Sequence, residues 1–440
     1  MTALTSAPEA TQELTLTESV TPSKWIVFAT LPILFGAFAQ RFGEIVYLTR
    51  LDRILDPFTM IGRGFDLWNP YWDMGSIQFQ QNGYWFPFDL WFGIAKALHI
   101  PPWISERLFI YFFIALALWG FVRLADAFKI GRPSTRIAAG FAYAISPVIL
   151  SRVGWQSPFA MGLVFLPWAL LPLVRASKTG SLRKAAARSA IAIALMGGAS
   201  AAVTIAVLPL PVLYLLTRTR GPRRASLLRW WAVAVPMATL WWLVGLYLFG
   251  KYGPDVLQYT ESVRTTTGPT SLFEVLRGTA DWVSRLPGGT NPSGFSLSLR
   301  SIPILATSIV AAAGFAGLAS RRLPERTFLL TSLLLGVAAV GGGFGGLFGN
   351  PATTQYQTLL DGVLNAFRNV YKFQPLIALP LAFGVAHVLS GLLDLRLIDN
   401  RALFKRSLAA GAIVVLALAS WPLWRNSLTR GPGATQIPTA

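Results

Sequence analysis

The chain has 440 residues, 53% of them hydrophobic and only 13% charged, with a net charge of +19 and no cysteine. A soluble domain carries roughly twice that charged fraction, and without thiols there are no disulfides, thiol nucleophiles or thiolate metal sites. The basic residues fall in short clusters between apolar runs, as in the cytoplasmic loops of a multi-pass membrane protein, so the charge does not imply nucleic acid as a partner; His99 and His387 lie too far apart in sequence to suggest a zinc site.

Residues 1–23 are polar and lack the basic start of a cleaved signal, which predicts a disordered cytoplasmic N-terminus and a first apolar run retained as an anchor. The first span is expected at 25–40. Residues 41–103 then form an outside loop holding Glu44, Asp52, Asp56, Asp66, Asp73 and Asp89, with Trp68, Tyr71, Trp72, Tyr84 and Trp85, the aromatics of a membrane–water boundary. Within it, 58–68 reads as an interfacial helix and 89–98 as a re-entrant or interfacial segment too short to cross. A span at 104–122 ends inside at Arg123, Lys129, Arg132 and Arg136. Spans at 137–152 and 159–174 follow, then the inside cluster Arg175, Lys178, Arg183, Lys184 and Arg188. Arg107 and Arg152 lie near span ends and are expected to snorkel.

Residues 189–216 read as a hairpin or broken pair, interrupted by Gly197–Gly198, Pro209 and Pro211. A span at 230–249 leads to a second outside loop, 250–301. Spans at 302–319 and 327–346, a third outside loop at 347–371, and spans at 373–393 and 408–421 complete the chain. The expected fold is an all-α polytopic bundle of about 11 crossings over residues 24–421, N-terminus in and C-terminus out, with an outside tail at 422–440.

Three groups of residues suggest chemistry. Asp52 and Asp56 are four apart in LDRILDPF, on one face if the segment is helical. Two carboxylates there suit sugar transfer from a lipid phosphate. One deprotonates the acceptor hydroxyl; the other orients that base or holds a divalent cation such as Mg, Mn or Ca against the leaving phosphate. The bland reading makes Asp56 a helix cap and pairs Asp52 with Arg50 or Arg53. Arg368 and Lys372 in FRNVYKF are also four apart, on the outer side against the positive-inside bias, and suit a phosphate; interfacial snorkelling is the alternative. In the second outside loop, Trp282 could stack on a sugar, and Arg277 with the nearby carboxylates could hold hydroxyls or phosphate. GGGFGG at 341–346 lacks the Lys–Ser/Thr ending of a phosphate loop and suggests close helix packing or a flexible exit.

LDRILDPFTMIGRGFDLWNP (51–70), NGYWFPF (82–88), GWQSPFAMGLVFLPWALLPL (154–173), TTTGPTSLFEVLRGTADWV (265–283) and FRNVYKFQPLIALPLAFG (367–384), taken in order, resemble the arabinofuranosyltransferase D family of actinobacterial cell-wall enzymes. The resemblance implies a C-type glycosyltransferase fold in the plasma membrane, with its active face outside and its site built from the first loop. It also implies a decaprenyl-phosphate arabinofuranose donor and an arabinan acceptor in arabinogalactan or lipoarabinomannan. Asp52, Asp56, Arg277, Arg368, Asn369 and Lys372 stand where the family has the same residue.

The chain departs from the family pattern at Leu48, where an Asp is expected, with Glu44 in reserve one turn earlier. It departs again at Gln374, in place of the Asp of Lys-Phe-Asp, and at Tyr371, in place of His. The family continues outside into sugar-binding β-domains, whereas this chain ends at QIPTA. The expectation is a truncated form, half of a split protein with a soluble outer partner, or a divergent relative. The rival reading is a non-catalytic membrane subunit or transporter that binds lipid-linked sugar or glycan.

Overall fold

The computed structural model describes residues 19–45, 51–70, 74–78, 82–154, 156–286, 291–395, 400–428 and 435–436. Apolar runs and proline set its helices. Proline occupies the first turn of Pro57–Arg63, Pro102–Phe128, Pro133–Ala144, Pro147–Val153, Pro222–Tyr252 and Pro375–Leu393, where its missing N–H has no helical partner to lose.

Among the described residues, six helices are long and apolar enough to cross a membrane: Pro102–Phe128, Ser157–Lys178, Pro222–Tyr252, Ser301–Ala319, Val370–Leu393 and Arg401–Ala419. The span expected at 137–152 is two helices, Pro133–Ala144 and Pro147–Val153, bent by 50° where Ile145–Ser146 precede Pro147. Ser23–Phe38, Ala201–Leu216 and Arg326–Gly341 are apolar but shorter. Length and composition thus give six or seven crossings, against the expected eleven; the rest of that count rests on shorter helices.

The core is a contiguous apolar cluster centred on Pro102–Phe128, Met161–Lys178 and Pro375–Leu393. Ser301–Ala319 packs on Pro375–Leu393 through glycine: a Cβ on Gly317 would lie 1.9 Å from the Gly384 carbonyl oxygen, so the two backbones touch.

Ion pairs join residues of the same end of the bundle. At one end Arg136 and Arg123 hold Asp126 at 2.8 and 3.1 Å, Arg218 pairs with Glu325, and Arg132 with Asp394. Thr21 also bonds Asp126, at 2.7 Å through its hydroxyl. The N-terminal segment expected to be disordered therefore has an ordered part at 19–22, while residues 1–18 lie outside the described residues.

At the other end sit the three loops. The expected interfacial helix at 58–68 stops at Arg63, and the chain turns into a short antiparallel ladder of Trp68–Asn69 with Ser76–Ile77. Leu90–Ala97 is a helix of 8 residues, too short to cross. Residues 189–216 do form a hairpin: Leu182–Ala194 runs to the loop end, turns at Gly197–Gly198, and returns through Ala201–Val207 and Pro209–Leu216. The chain's far end joins the first loop, since Glu44–Ile45 pairs antiparallel with Thr435–Gln436.

Candidate functional site

The first loop begins as one helical turn, Asp52–Leu55. It does not carry Asp52 and Asp56 on one helix face. Asp56 leaves helical geometry, at φ −133°, because Pro57 follows and starts the next helix. Asp56 is exposed, and its carboxylate lies 3.3 Å from Lys96 Nζ. Hydrogen bonding from Thr59, with a contribution from Lys96, holds the Asp56 carboxyl below the usual carboxylate value, so it is ionised at neutral pH.

The loop is fixed by a residue between the two aspartates. Arg53 is buried, with Nη1 at 2.7 and 2.6 Å from the two oxygens of buried Asp89, and its guanidinium lies 3.8 Å from the Tyr84 ring centre. Glu44 is also buried, 3.1 Å from Arg41. Its carbonyl accepts from Arg107 at 2.8 Å, and Arg107 pairs with buried Glu106 at 3.0 Å. Arg107 does not snorkel: it is 1% exposed and ties the first loop to the start of Pro102–Phe128. Leu48, the departure singled out above, lies outside the described residues.

A second cluster forms around the third loop. Residues 365–373 are two short 3₁₀ turns, Asn365–Phe367 and Val370–Phe373, with a break at Arg368–Asn369. Arg368 and Lys372 are therefore not one turn apart on a continuous helix. The Asn369 side chain accepts from the Trp282 indole at 2.7 Å and donates to Glu261. Arg368 donates to the carbonyls of Glu261 and Leu257 at 2.9 and 3.3 Å and lies 3.6 Å from Asp361. Lys372 donates to the Ala366 carbonyl at 3.1 Å, with Glu261 and Arg152 near enough to act on its charge.

Arg152, expected to snorkel, turns inward instead, and sequence reasoning gave it no part in a site. It is 1% exposed, pairs with Asp281, and lies 4.2 Å from the Tyr371 ring centre. Burial pushes the Asp281 carboxyl up, opposed by the Arg152 charge and the Val283 N–H. The signal was present: Arg152 is another cation on the outer side, against the positive-inside bias, the argument used for Arg368 and Lys372.

Arg277 stands apart from both groups. It is buried, and donates to Thr307 at 3.0 Å, Glu274 at 3.1 Å and the Leu297 carbonyl at 2.8 Å. Those bonds tie the second loop to Ser301–Ala319. Gln374, the other departure, is buried and donates to the Val275 carbonyl at 3.2 Å, holding the same segment.

The hairpin touches both the first loop and the third-loop cluster. Gly198 donates to the Gly83 carbonyl at 3.1 Å, while Ala201–Val207 packs on Val370–Phe373. Gly197 has φ +79°, and a Cβ there would lie 2.8 Å from the Phe86 carbonyl oxygen. Among the described residues no three His, Asp or Glu side chains stand close enough to hold a metal ion. Asp56 already interacts with Thr59 and Lys96.

Residues 33–440 match the family model described as alpha-(1->3)-arabinofuranosyltransferase, N-terminal GT-C domain. The chain belongs to this family. It is 37% identical over 414 residues to an alpha-(1->3)-arabinofuranosyltransferase of Mycolicibacterium smegmatis, covering 91% of this chain and 29% of that protein. It is 36% identical over 374 residues to one of Mycobacterium tuberculosis, covering 83% and 26%. The cryo-EM structure of the arabinofuranosyltransferase AftD from Mycobacteria superposes with a TM-score of 0.76 at 31% identity, over 96% of this chain and 28% of that one. The GT-C helical fold is thereby shown. The chain spans less than a third of the relatives it matches.

Proposed function

We propose that this chain is a multi-pass membrane glycosyltransferase domain of the plasma membrane. It moves arabinofuranose from a polyprenyl phosphate to an arabinan acceptor on the outer face. The observation that carries the reading is the placement of an exposed, ionised carboxylate, Asp56, in the loop joined through the hairpin tip to the cluster of Arg368, Asn369, Lys372 and Trp282.

Asp56 takes the proton of the acceptor hydroxyl as that oxygen attacks the sugar, with Asp52 or Glu44 as the alternative base. Departure of the lipid phosphate builds negative charge on its oxygen. A fixed cation aimed at that oxygen lowers the barrier because the interaction strengthens in the transition state. Lys372 is the best placed for this, since among the described residues its amine bonds a carbonyl, which leaves two N–H groups to donate. Arg368 holds the loop, and Arg277 acts through the fold.

The test is transfer from radiolabelled decaprenyl-phosphate arabinofuranose to a short arabinan by the purified chain in nanodiscs. Asp52→Asn, Asp56→Asn and Glu44→Gln run in parallel, with and without a divalent cation. Product that vanishes in one variant establishes the enzyme and names its base. Donor binding with no product from the parent chain overturns the catalytic reading in favour of a binding subunit.

A further inference from the structure

A groove of about 790 Å³ runs along Pro102–Phe128, Met161–Lys178 and Leu182–Ala194. Phe113, Leu116, Phe165, Leu171, Ile191 and Leu195 form its apolar walls, on Pro102–Phe128, Met161–Lys178 and Leu182–Ala194. Its volume falls within the roughly 300–1,000 Å³ of pockets that enclose whole small ligands. One mouth opens at Phe86 and Pro87 in the first loop. The other opens between Arg175, Lys184 and Arg188, at the end that carries the basic clusters.

The charge at that second mouth is not balanced by the protein. Arg175, Lys184 and Arg188 are exposed. Among the described residues, no carboxylate lines the groove and no hydrogen bond or ion pair engages these three side chains. Asp126 lines the neighbouring cleft with Arg175, and it is already held by Arg136, Arg123 and Thr21. The turn Thr179–Gly180–Ser181 adds hydroxyls to the same mouth.

We infer that the groove binds an anionic glycerophospholipid of the cytoplasmic leaflet. Its phosphodiester rests on Arg175, Lys184 and Arg188, and an acyl chain rises between Met161–Lys178 and Leu182–Ala194. An apolar slot ending in three cations matches an apolar chain ending in one anion, and each Lys or Arg near the surface adds attraction to anionic lipid. The site lies at the opposite end of the bundle from Asp56, so its phosphate is not the one that leaves in transfer. An occupied groove would brace Leu182–Ala194, and through it the hairpin tip on Gly83 and the returning helix Ala201–Val207 on Val370–Phe373.

The test is native mass spectrometry of the detergent-purified chain with dioleoyl phosphatidylglycerol or dioleoyl phosphatidylcholine. The charge variant R175Q/K184Q/R188Q should retain about tenfold less phosphatidylglycerol, and phosphatidylcholine should bind both proteins at the same low level. R220Q/R321Q/R322Q removes three exposed cations elsewhere at that end and should leave retention unchanged. Ile191→Trp, which fills the groove from its exposed side, should also lower retention.

Equal loss in both triple variants would overturn the site in favour of diffuse surface charge. Glycerophosphate bound as tightly as the lipid would overturn the role of the groove. One-for-one displacement of phosphatidylglycerol by decaprenyl phosphate would assign the groove to the donor chain instead.

Discussion

The first loop and the third-loop cluster are built on the same device and use it differently. Each is anchored by a buried Arg–Asp pair whose guanidinium lies over a tyrosine: Arg53–Asp89 over Tyr84, and Arg152–Asp281 over Tyr371. In the cluster the surrounding polar groups then bond to one another, Trp282 to Asn369 and Asn369 to Glu261. In the first loop the neighbouring Asp56 stays exposed, with a single lysine beside it. A pre-bonded cluster holds a ligand in one position; an exposed carboxylate can take a proton. On the proposed function, binding would fall to one region and chemistry to the other, and each variant that follows would break that division.

The largest expected effect is on turnover. Asp56→Asn should lower transfer by about 10²- to 10⁴-fold, the usual contribution of a positioned base, with an unchanged thermal midpoint because the group is exposed and its lysine pair is a surface one. The pH profile checks the same residue. Since its folded pKa lies below the ordinary carboxylate value, the active ionised form is present at neutral pH and is lost only as pH falls through that depressed pKa. Thr59→Val and Lys96→Met should move the acid limb of kcat/KM upward. A limb that ignores both substitutions would remove Asp56 from the base role.

Next come the anchors. Removing one partner of a buried pair leaves a charge without compensation and costs about 3–5 kcal/mol. Arg53→Met and Arg152→Met should each lower the thermal midpoint by a similar amount, because both pairs are almost fully buried. Adding Asp89→Leu to Arg53→Met should recover much of the loss. A stable Arg152→Met protein that has lost only donor affinity would instead make Arg152 a phosphate ligand.

Lys372→Met tests the binding half. It should raise the donor KM by roughly 10- to 100-fold, the effect of about 1.5–3 kcal/mol for a hydrogen bond to a charged group, and kcat should fall as well if the lysine follows charge into the transition state. Arg277→Lys should reduce activity only in proportion to the folded fraction, since its donors bond to Thr307, Glu274 and Leu297.

The bundle was legible because crossing a membrane forces long apolar helices, and proline and charge mark their ends. The hairpin at 189–216 was legible for the same reason, from Gly197–Gly198 and the prolines after it. Spacing failed where the backbone stops being helical. Asp52 with Asp56, and Arg368 with Lys372, are four apart in sequence, yet Pro57 ends one helical turn and 3₁₀ turns replace the other. Long-range pairing failed for a different reason. Nothing local in LDRIL shows that Arg53 reaches Asp89, or that Arg107 and Arg152 turn inward rather than toward the surface; those contacts exist only once the loops are folded against the spans.

The smallest expected effect is the most specific to the cluster. Trp282→Phe keeps the ring and removes the indole N–H that Asn369 accepts at 2.7 Å. A neutral hydrogen bond contributes about 0.5–1.5 kcal/mol, so donor KM should rise only a few-fold if Trp282 serves to orient Asn369. Trp282→Ala removes the ring as well. If the ring stacks on a sugar, the alanine variant should lose acceptor affinity that the phenylalanine variant keeps. Equal losses in the two would mean that Trp282 acts only through Asn369, and the cluster would then bind the donor alone.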